Sequence, residues 1–269
     1  MEDSAIFGAQ LTSATGCASG LPFGNGFGVQ VDADESGPFE VLVKGNSIHD
    51  FTANGVLVED AGIKGDVEGN VITGVGPSQG VFQFGVFIAH GAVGLVKDNL
   101  ITEGNCGALS TSDCIGVRSE GVTLRAIGDG TIVDHNIISK AQSGIFANGA
   151  NHLQITNNLI SNIDALSGMD LQGTASGAFT NSVIDSNTIF NVGPIDADAS
   201  NNEEGCGINE YSGTGVSANS ITHNTINDAY CGIAFVTGEN VEFNVYLNTL
   251  YTKFNGDSFP TAFPPATEP

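Results

Sequence analysis

Tryptophan is absent from this chain, and lysine and arginine together number seven in 269 residues. So few cations exclude a nucleic-acid binder, because neutralising phosphates needs clustered Lys and Arg. Against them stand 30 acidic residues and a net charge of −23. That surplus repels anionic polymers unless divalent cations bridge, and it keeps an extended protein soluble. Apolar runs of about 18 residues are missing, so no segment is fit to span a membrane as a helix. Met1-Glu-Asp-Ser lacks the basic start and apolar stretch of a secretory leader. Zinc spacings, phosphate loops and serine elbows are also missing. The absence of an Asn-x-Ser/Thr sequon fits a bacterial source, and a secreted or cell-surface location is expected.

What is present is repetition. Glycine is abundant at 37 residues, and hydrophobic residues make up 41%, too many for a disordered acidic tail. One phrase recurs: a β-branched residue, two spacers, an asparagine, a spacer and an apolar residue. It runs as Val43…Asn46…Ile48, Val67…Asn70…Ile72, Val96…Asn99…Ile101 and Val133…Asn136…Ile138. It continues as Ile155…Asn158…Ile160, Ile184…Asn187…Ile189, Ile221…Asn224…Ile226 and Val245…Asn248…Leu250. The asparagines lie 24, 29, 37, 22, 29, 37 and 24 residues apart, a period that marks a solenoid. Each unit also carries a Gly-Val/Ile-x-apolar start, as at Gly55-Val56, Gly85-Val86 and Gly144-Ile145. Apolar residues alternate within each unit, which predicts three short strands per coil. Stacked coils would then form parallel sheets, with the asparagine in a tight turn that tolerates left-handed backbone angles. Its amide would bond along the stack.

These two phrases resemble the right-handed parallel β-helix of the pectate-lyase-like superfamily, in particular its NosD-type repeats. The resemblance covers about residues 23 to 252 and implies an all-β solenoid of eight to nine coils with an internal asparagine ladder. It places the asparagine between the second and third strands, which makes Gly-Val/Ile-x-apolar the first. Residues 1–22 read as an N-terminal edge or partial cap and 253–269 as a tail or linker. No amphipathic capping helix is evident, so a longer protein or another chain is expected to cover an exposed edge.

Irregularity concentrates between the third strand and the next first strand. Long connections span residues 102–120 and 190–206, and their bases stand three coils, about 14 Å, apart. Between these walls the first strands make a floor. Counting two and four residues from each glycine places Phe146, Asp170 and Asn209, then Arg125, Asn148, Gln172 and Tyr211, on its outer face. An aromatic ring among amides and a carboxylate suits a sugar, and relatives by resemblance commonly hold polysaccharide along this sheet. Phe146, Asn148, Gln172, Asn209 and Tyr211 are therefore the expected substrate-binding residues.

Asp170, Glu210 and Arg125 are the catalytic candidates for a polysaccharide lyase or glycoside hydrolase. Strict alternation points Glu210 inward, so either the strand bulges or Glu210 has an interior partner. Turned outward, it would approach the roughly 5 Å spacing of a retaining carboxylate pair with Asp170. The same acids with Asp196 or Asp198 could instead hold Ca²⁺. Arg125 is the one basic residue on the floor, in the role the resemblance gives to a lyase base. A non-catalytic surface solenoid that binds glycans or partners is the alternative. Cys106 and Cys114 share one loop, and Cys206 and Cys231 occupy equivalent positions in successive units. Two disulfides with Cys17 left over would suit an oxidising compartment. Serines also occur at the second pair's positions, however, so a column of small residues accounts for Cys206 and Cys231 without a bond. The five histidines form no metal or triad constellation, and stacked turn positions explain His135 and His223.

Overall fold

Each repeat folds into three strands because its apolar residues alternate and its turns carry residues that accept left-handed angles. The computed structural model describes residues 5–7, 26–32, 38–76, 82–104, 119–164, 166–173, 177–193, 205–211, 215–235, 239–249 and 251–255, with side chains at 5–7, 211 and 251–255 excepted. Every regular element among them is a strand. Three parallel sheets of nine, eight and nine strands hold the first, second and third strands of successive coils. Each strand pairs with its counterpart one coil away, as Ser143–Asn148 does with Ser119–Arg125 and Met169–Gln172. The molecule is therefore a parallel β-helix. A strand over Ala5–Phe7 joins the edge of the third sheet, and Tyr251–Asn255 joins that of the first, running past the expected boundary at 252.

The recurring phrase supplies the core. Its β-branched residue points inward from the second strand and its final apolar residue from the third, so Val133, Ile155 and Ile184 stack beside Ile138, Ile160 and Ile189, all fully buried. Each such side chain contributes about 2 kcal/mol by leaving water. The first-strand glycines have a steric cause. A Cβ on Gly55 would stand 2.6 Å from the carbonyl oxygen of Gly85, and one on Gly121 2.6 Å from that of Gly144. Only glycine lets the coils approach this closely at the corner.

The asparagines form a buried ladder. The Asn99 backbone N–H and side-chain amide both donate to Asn136 Oδ1, at 3.0 and 2.9 Å. Asn136 does the same to Asn158 Oδ1, at 2.9 and 3.0 Å, and its amide also donates to the Val96 carbonyl at 2.8 Å. The pattern runs from Asn46 through Asn70, Asn99, Asn136, Asn158, Asn187 and Asn224. Its last rung is Asn244, not Asn248. Asn224 donates to Asn244 Oδ1 at 2.9 and 3.0 Å, 20 residues on, and Val245–Leu247 is a third strand. The apolar pattern around Asn248 imitates the phrase one strand out of place.

Nor do the ladder asparagines themselves take the left-handed angles. The residue before each one does: Asp98, His135, Asn157, Ser186 and His223 have φ between 53° and 59°. The ladder side chain must turn inward, so the reversal of the chain falls on its predecessor. His135 and His223 are turn residues of this kind, and each ring bonds a carboxylate of the same rim, Asp134 and Asp185, at 2.7 Å. Burial would raise the Asp134 carboxyl, but bonds from Asn157, Thr156 and His135 outweigh it and hold the group down at about 2.

Cys206 and Cys231 face each other on adjacent first strands with Cα atoms 4.3 Å apart, and they are joined by a disulfide. This corrects the reading of two independent small residues. Equivalent positions in neighbouring coils are close enough to bridge, and spacing in sequence alone does not reveal that.

Replacing one rung tests the ladder. Asn136→Ala strands the Asn99 N–H inside the coil, where an unsatisfied donor costs about 1–3 kcal/mol, and removes several further bonds. The urea midpoint should fall far more than for the surface change Asn227→Ala, measured by circular dichroism.

Candidate functional site

The first-strand sheet assembles the floor in the predicted order. Thr123, Phe146, Asp170, Asn209 and Ala234 are successive cross-strand neighbours, and Arg125, Asn148, Gln172 and Tyr211 form the parallel row beside them. Of Tyr211 only the backbone position is described. The two rows differ in access. Thr123, Phe146, Asp170 and Asn209 are all buried, and so is Gln172 of the second row, whereas Arg125 and Asn148 are partly exposed. The floor therefore meets solvent at Arg125 and Asn148, with Gln172 largely covered beside them.

Polar groups along the rows bond to one another. Asn209 Nδ2 donates to Asp170 Oδ1 at 3.0 Å, which satisfies part of a buried carboxylate with a neutral donor. Asn148 Nδ2 reaches Gln172 Oε1 at 3.4 Å, a long bond that a ligand hydroxyl could replace. Arg125 is held differently. Its guanidinium carbon lies 5.8, 5.6 and 5.3 Å from the ring centroids of Phe84, Phe87 and Phe146. Stacking on aromatic rings fixes the planar cation, each contact contributing about 0.5–1 kcal/mol. Arg125 Nε is buried with no hydrogen-bond partner among the described residues. Every lysine whose side chain is described contacts a carboxylate: Lys44 with Glu68 and Lys64 with Asp66 at 3.1 Å, Lys97 with Asp134 at 3.7 Å, and Lys140 with Glu103. Arg125 makes no such pair among the described residues, despite the acid surplus.

Beside this row the chain turns towards the second strand and leaves an open depression of about 430 Å³. Ala126, Gly149, Asn151, Gly177 and Thr180 are among its walls. Ala126 and Gly149 directly follow Arg125 and Asn148, so the depression continues the accessible row around the corner. Small side chains create it, and the sequence signal was the Gly149 and Gly177 pair one coil apart.

Glu210 is not on the floor. It pairs across the sheet with Leu171, points into the coil and is 1% exposed. Its carboxylate accepts from Asn219 Nδ2 at 2.9 Å. Strict alternation holds and the interior partner exists, so Glu210 and Asp170 lie on opposite faces and the adjacent outward pair is not formed. Asn219 in turn belongs to a second internal chain of bonds: Ser182 N–H donates to Asn219 Oδ1 at 2.9 Å, and Asn219 N–H donates to Glu239. Asp196 and Asp198, the expected Ca²⁺ ligands, lie outside the described residues, as do most of both long connections with Cys106 and Cys114. Among the described residues no three His, Cys, Asp or Glu side chains gather as metal ligands.

Two acids escaped the sequence reading. Glu120 sits one residue before the corner glycine, is 1% exposed, and accepts from Thr123 Oγ1 at 2.5 Å. Its place before the glycine falls outside the alternation count, because the corner bends the strand. Asp164 follows the third strand Leu159–Ile163. Burial pushes its carboxyl up to about 6, with Oδ1 buried and unpartnered among the described residues. A carboxyl raised in the native state favours the protonated fold, so its cost is present above about pH 6 and relieved as pH falls towards the unfolded value near 4. Asp164→Asn should raise the urea midpoint at about pH 7.5, and the gain should vanish at about pH 4.

A family model described as "Right handed beta helix region" matches residues 27–250. No curated protein matches the chain significantly in sequence. Among solved structures, the crystal structure of the Dettilon tailspike protein is similar at 18% identity and a TM-score of 0.31, over 78% of this chain and 58% of that one. The chain thus spans less than two thirds of that structure. No helix among the described residues is long and apolar enough to cross a membrane. The stacked sheets, the asparagine ladder and the match over nearly the whole repeat region agree: the chain belongs to the right-handed β-helix family.

Proposed function

We propose that this β-helix engages carbohydrate along the row Arg125, Asn148 and Gln172 and in the depression that continues it. The observation that carries this reading is Arg125, a cation held on three phenylalanine rings and not paired with a carboxylate among the described residues. A guanidinium fixed in this way offers pre-aimed donors to ligand oxygens without paying to break an ion pair. Asn148 and Gln172 add amide donors and acceptors suited to hydroxyls. Asp170 and Asn209 lie behind them, where they fix the row.

Between a binding surface and an enzyme, Glu210 favours binding, since its inward direction removes the outward carboxylate pair. The lyase or hydrolase reading keeps Asp170 and Arg125, and it keeps Ca²⁺ through Asp196 and Asp198. A secreted or surface location is part of the proposal, supported by the Cys206–Cys231 disulfide, which persists in oxidising compartments.

A polysaccharide and oligosaccharide panel tests the reading by affinity electrophoresis and calorimetry, with and without Ca²⁺. Arg125→Ala should weaken binding about tenfold or more, the loss expected of a charged hydrogen bond, with an unchanged circular dichroism spectrum. Equal affinity in the variant, or no binding to any glycan, would contradict it. New reducing ends or unsaturated products lost in Asp170→Asn would favour the enzyme.

A further inference from the structure

The depression beside the row has a direction. Arg125, Asn148 and Gln172 hold one position on three successive coils, so the row runs along the solenoid axis. The walls of the depression come from the same three coils: Ala126, then Gly149 and Asn151, then Gly177, Ala178 and Thr180. In each coil they follow the last residue of the first strand. The depression is therefore displaced sideways, around the corner, over the same stretch of axis. A chain that follows the row passes alongside it and does not run into it.

The surroundings of this space are fixed. Gly149 turns the chain with a φ of 69°, and a Cβ on Gly177 would stand 2.9 Å from the Gly149 Cα, so glycine lets the two coils meet here. One wall is polar. Asn151 Oδ1 accepts from Thr180 Oγ1 at 2.7 Å and from Asn181 Nδ2 at 3.0 Å. Asn151 Nδ2 donates to Asp129 Oδ2 at 3.0 Å, and His152 approaches the same oxygen at 3.4 Å. These bonds hold an amide, a hydroxyl and a carboxylate in place, and all three pair with sugar hydroxyls. No Lys or Arg lines the depression among the described residues, and the Asp129 carboxylate beside it disfavours an anion.

We propose that the ligand of this site is a branched neutral glycan, its main chain along the row and a short side branch in the depression. The inference rests on the carbohydrate reading above and adds the shape and charge of the ligand. A lateral space is reached by a lateral substituent, whereas a linear chain on the row leaves it to water. The volume of about 430 Å³ suits a small group, towards the lower end of the roughly 300–1,000 Å³ of small-ligand sites. The branch belongs to a ligand already held at Arg125 and Asn148, so its contacts add affinity at little further cost in freedom.

Paired oligosaccharides separate the branch from the main chain. Calorimetry on the full chain compares linear xylo-oligosaccharides with arabinose-branched and glucuronate-branched ones, and linear manno-oligosaccharides with galactose-branched ones. In at least one series the neutral branched member should bind about tenfold tighter than the linear one, the effect of one or two hydrogen bonds. Ala178→Leu enlarges an exposed wall residue and should abolish that difference. Arg125→Ala should weaken linear and branched members alike, and circular dichroism confirms that each variant folds. Equal affinity for linear and branched members, both lost in Arg125→Ala, would overturn the branch and leave the carbohydrate reading standing. So would a preference that survives Ala178→Leu, or tighter binding of the glucuronate branch than of the arabinose branch, which would put the branch at Arg125. No binding in either series would contradict the carbohydrate reading itself, and this inference with it.

Discussion

Everything in this molecule hangs on the vertical register of its coils, and the buried asparagine ladder sets that register. Parallel strands alone tolerate slippage, because backbone groups pair equally well at any even offset. A rung does not. Each asparagine donates from its backbone and its amide to one oxygen in the next coil, and from Asn70 onward its amide also bonds a carbonyl of the preceding coil. Shifting a coil would strand all of these groups away from water. The inward valines and isoleucines then fall into line, and so do the outward side chains.

Register is what makes a floor possible. Arg125, Asn148 and Gln172 come from strands separated by 23 and 24 positions, and they meet because each lies a fixed number of residues from its own corner glycine. The same bookkeeping puts Glu210 in the interior, one step from Asn209 on the surface. Function in a solenoid of this kind follows from which residue occupies which column, and a change of one place moves a carboxylate from ligand to core.

Much of this was legible in the sequence. The β-branched residue, asparagine and apolar residue are inward-facing in the first seven phrases, from Val43 to Ile226, and the outer rows were countable from the glycines. Four features were not. The last rung was displaced to Asn248 because apolar residues around it copy the phrase, whereas only bonding identifies Asn244. The Cys206–Cys231 bond depends on a distance between coils that spacing along the chain does not encode. Glu120 and Asp164 lie at corners, where period-two alternation breaks down. Burial of the inner row was equally hidden, since alternation gives direction and says nothing about access.

The ladder makes one demand that differs from that of an ordinary turn. The N–H groups of Asn46, Asn70, Asn99, Asn136, Asn158, Asn187 and Asn224 sit in turns, yet each donates to the side-chain oxygen of the next rung, buried for all but the last. Residue-resolved amide hydrogen exchange measures this directly. The account predicts protection of these seven amides comparable to that of the central strand amides. Exchange as fast as at exposed turn residues would contradict a ladder that fixes the coils.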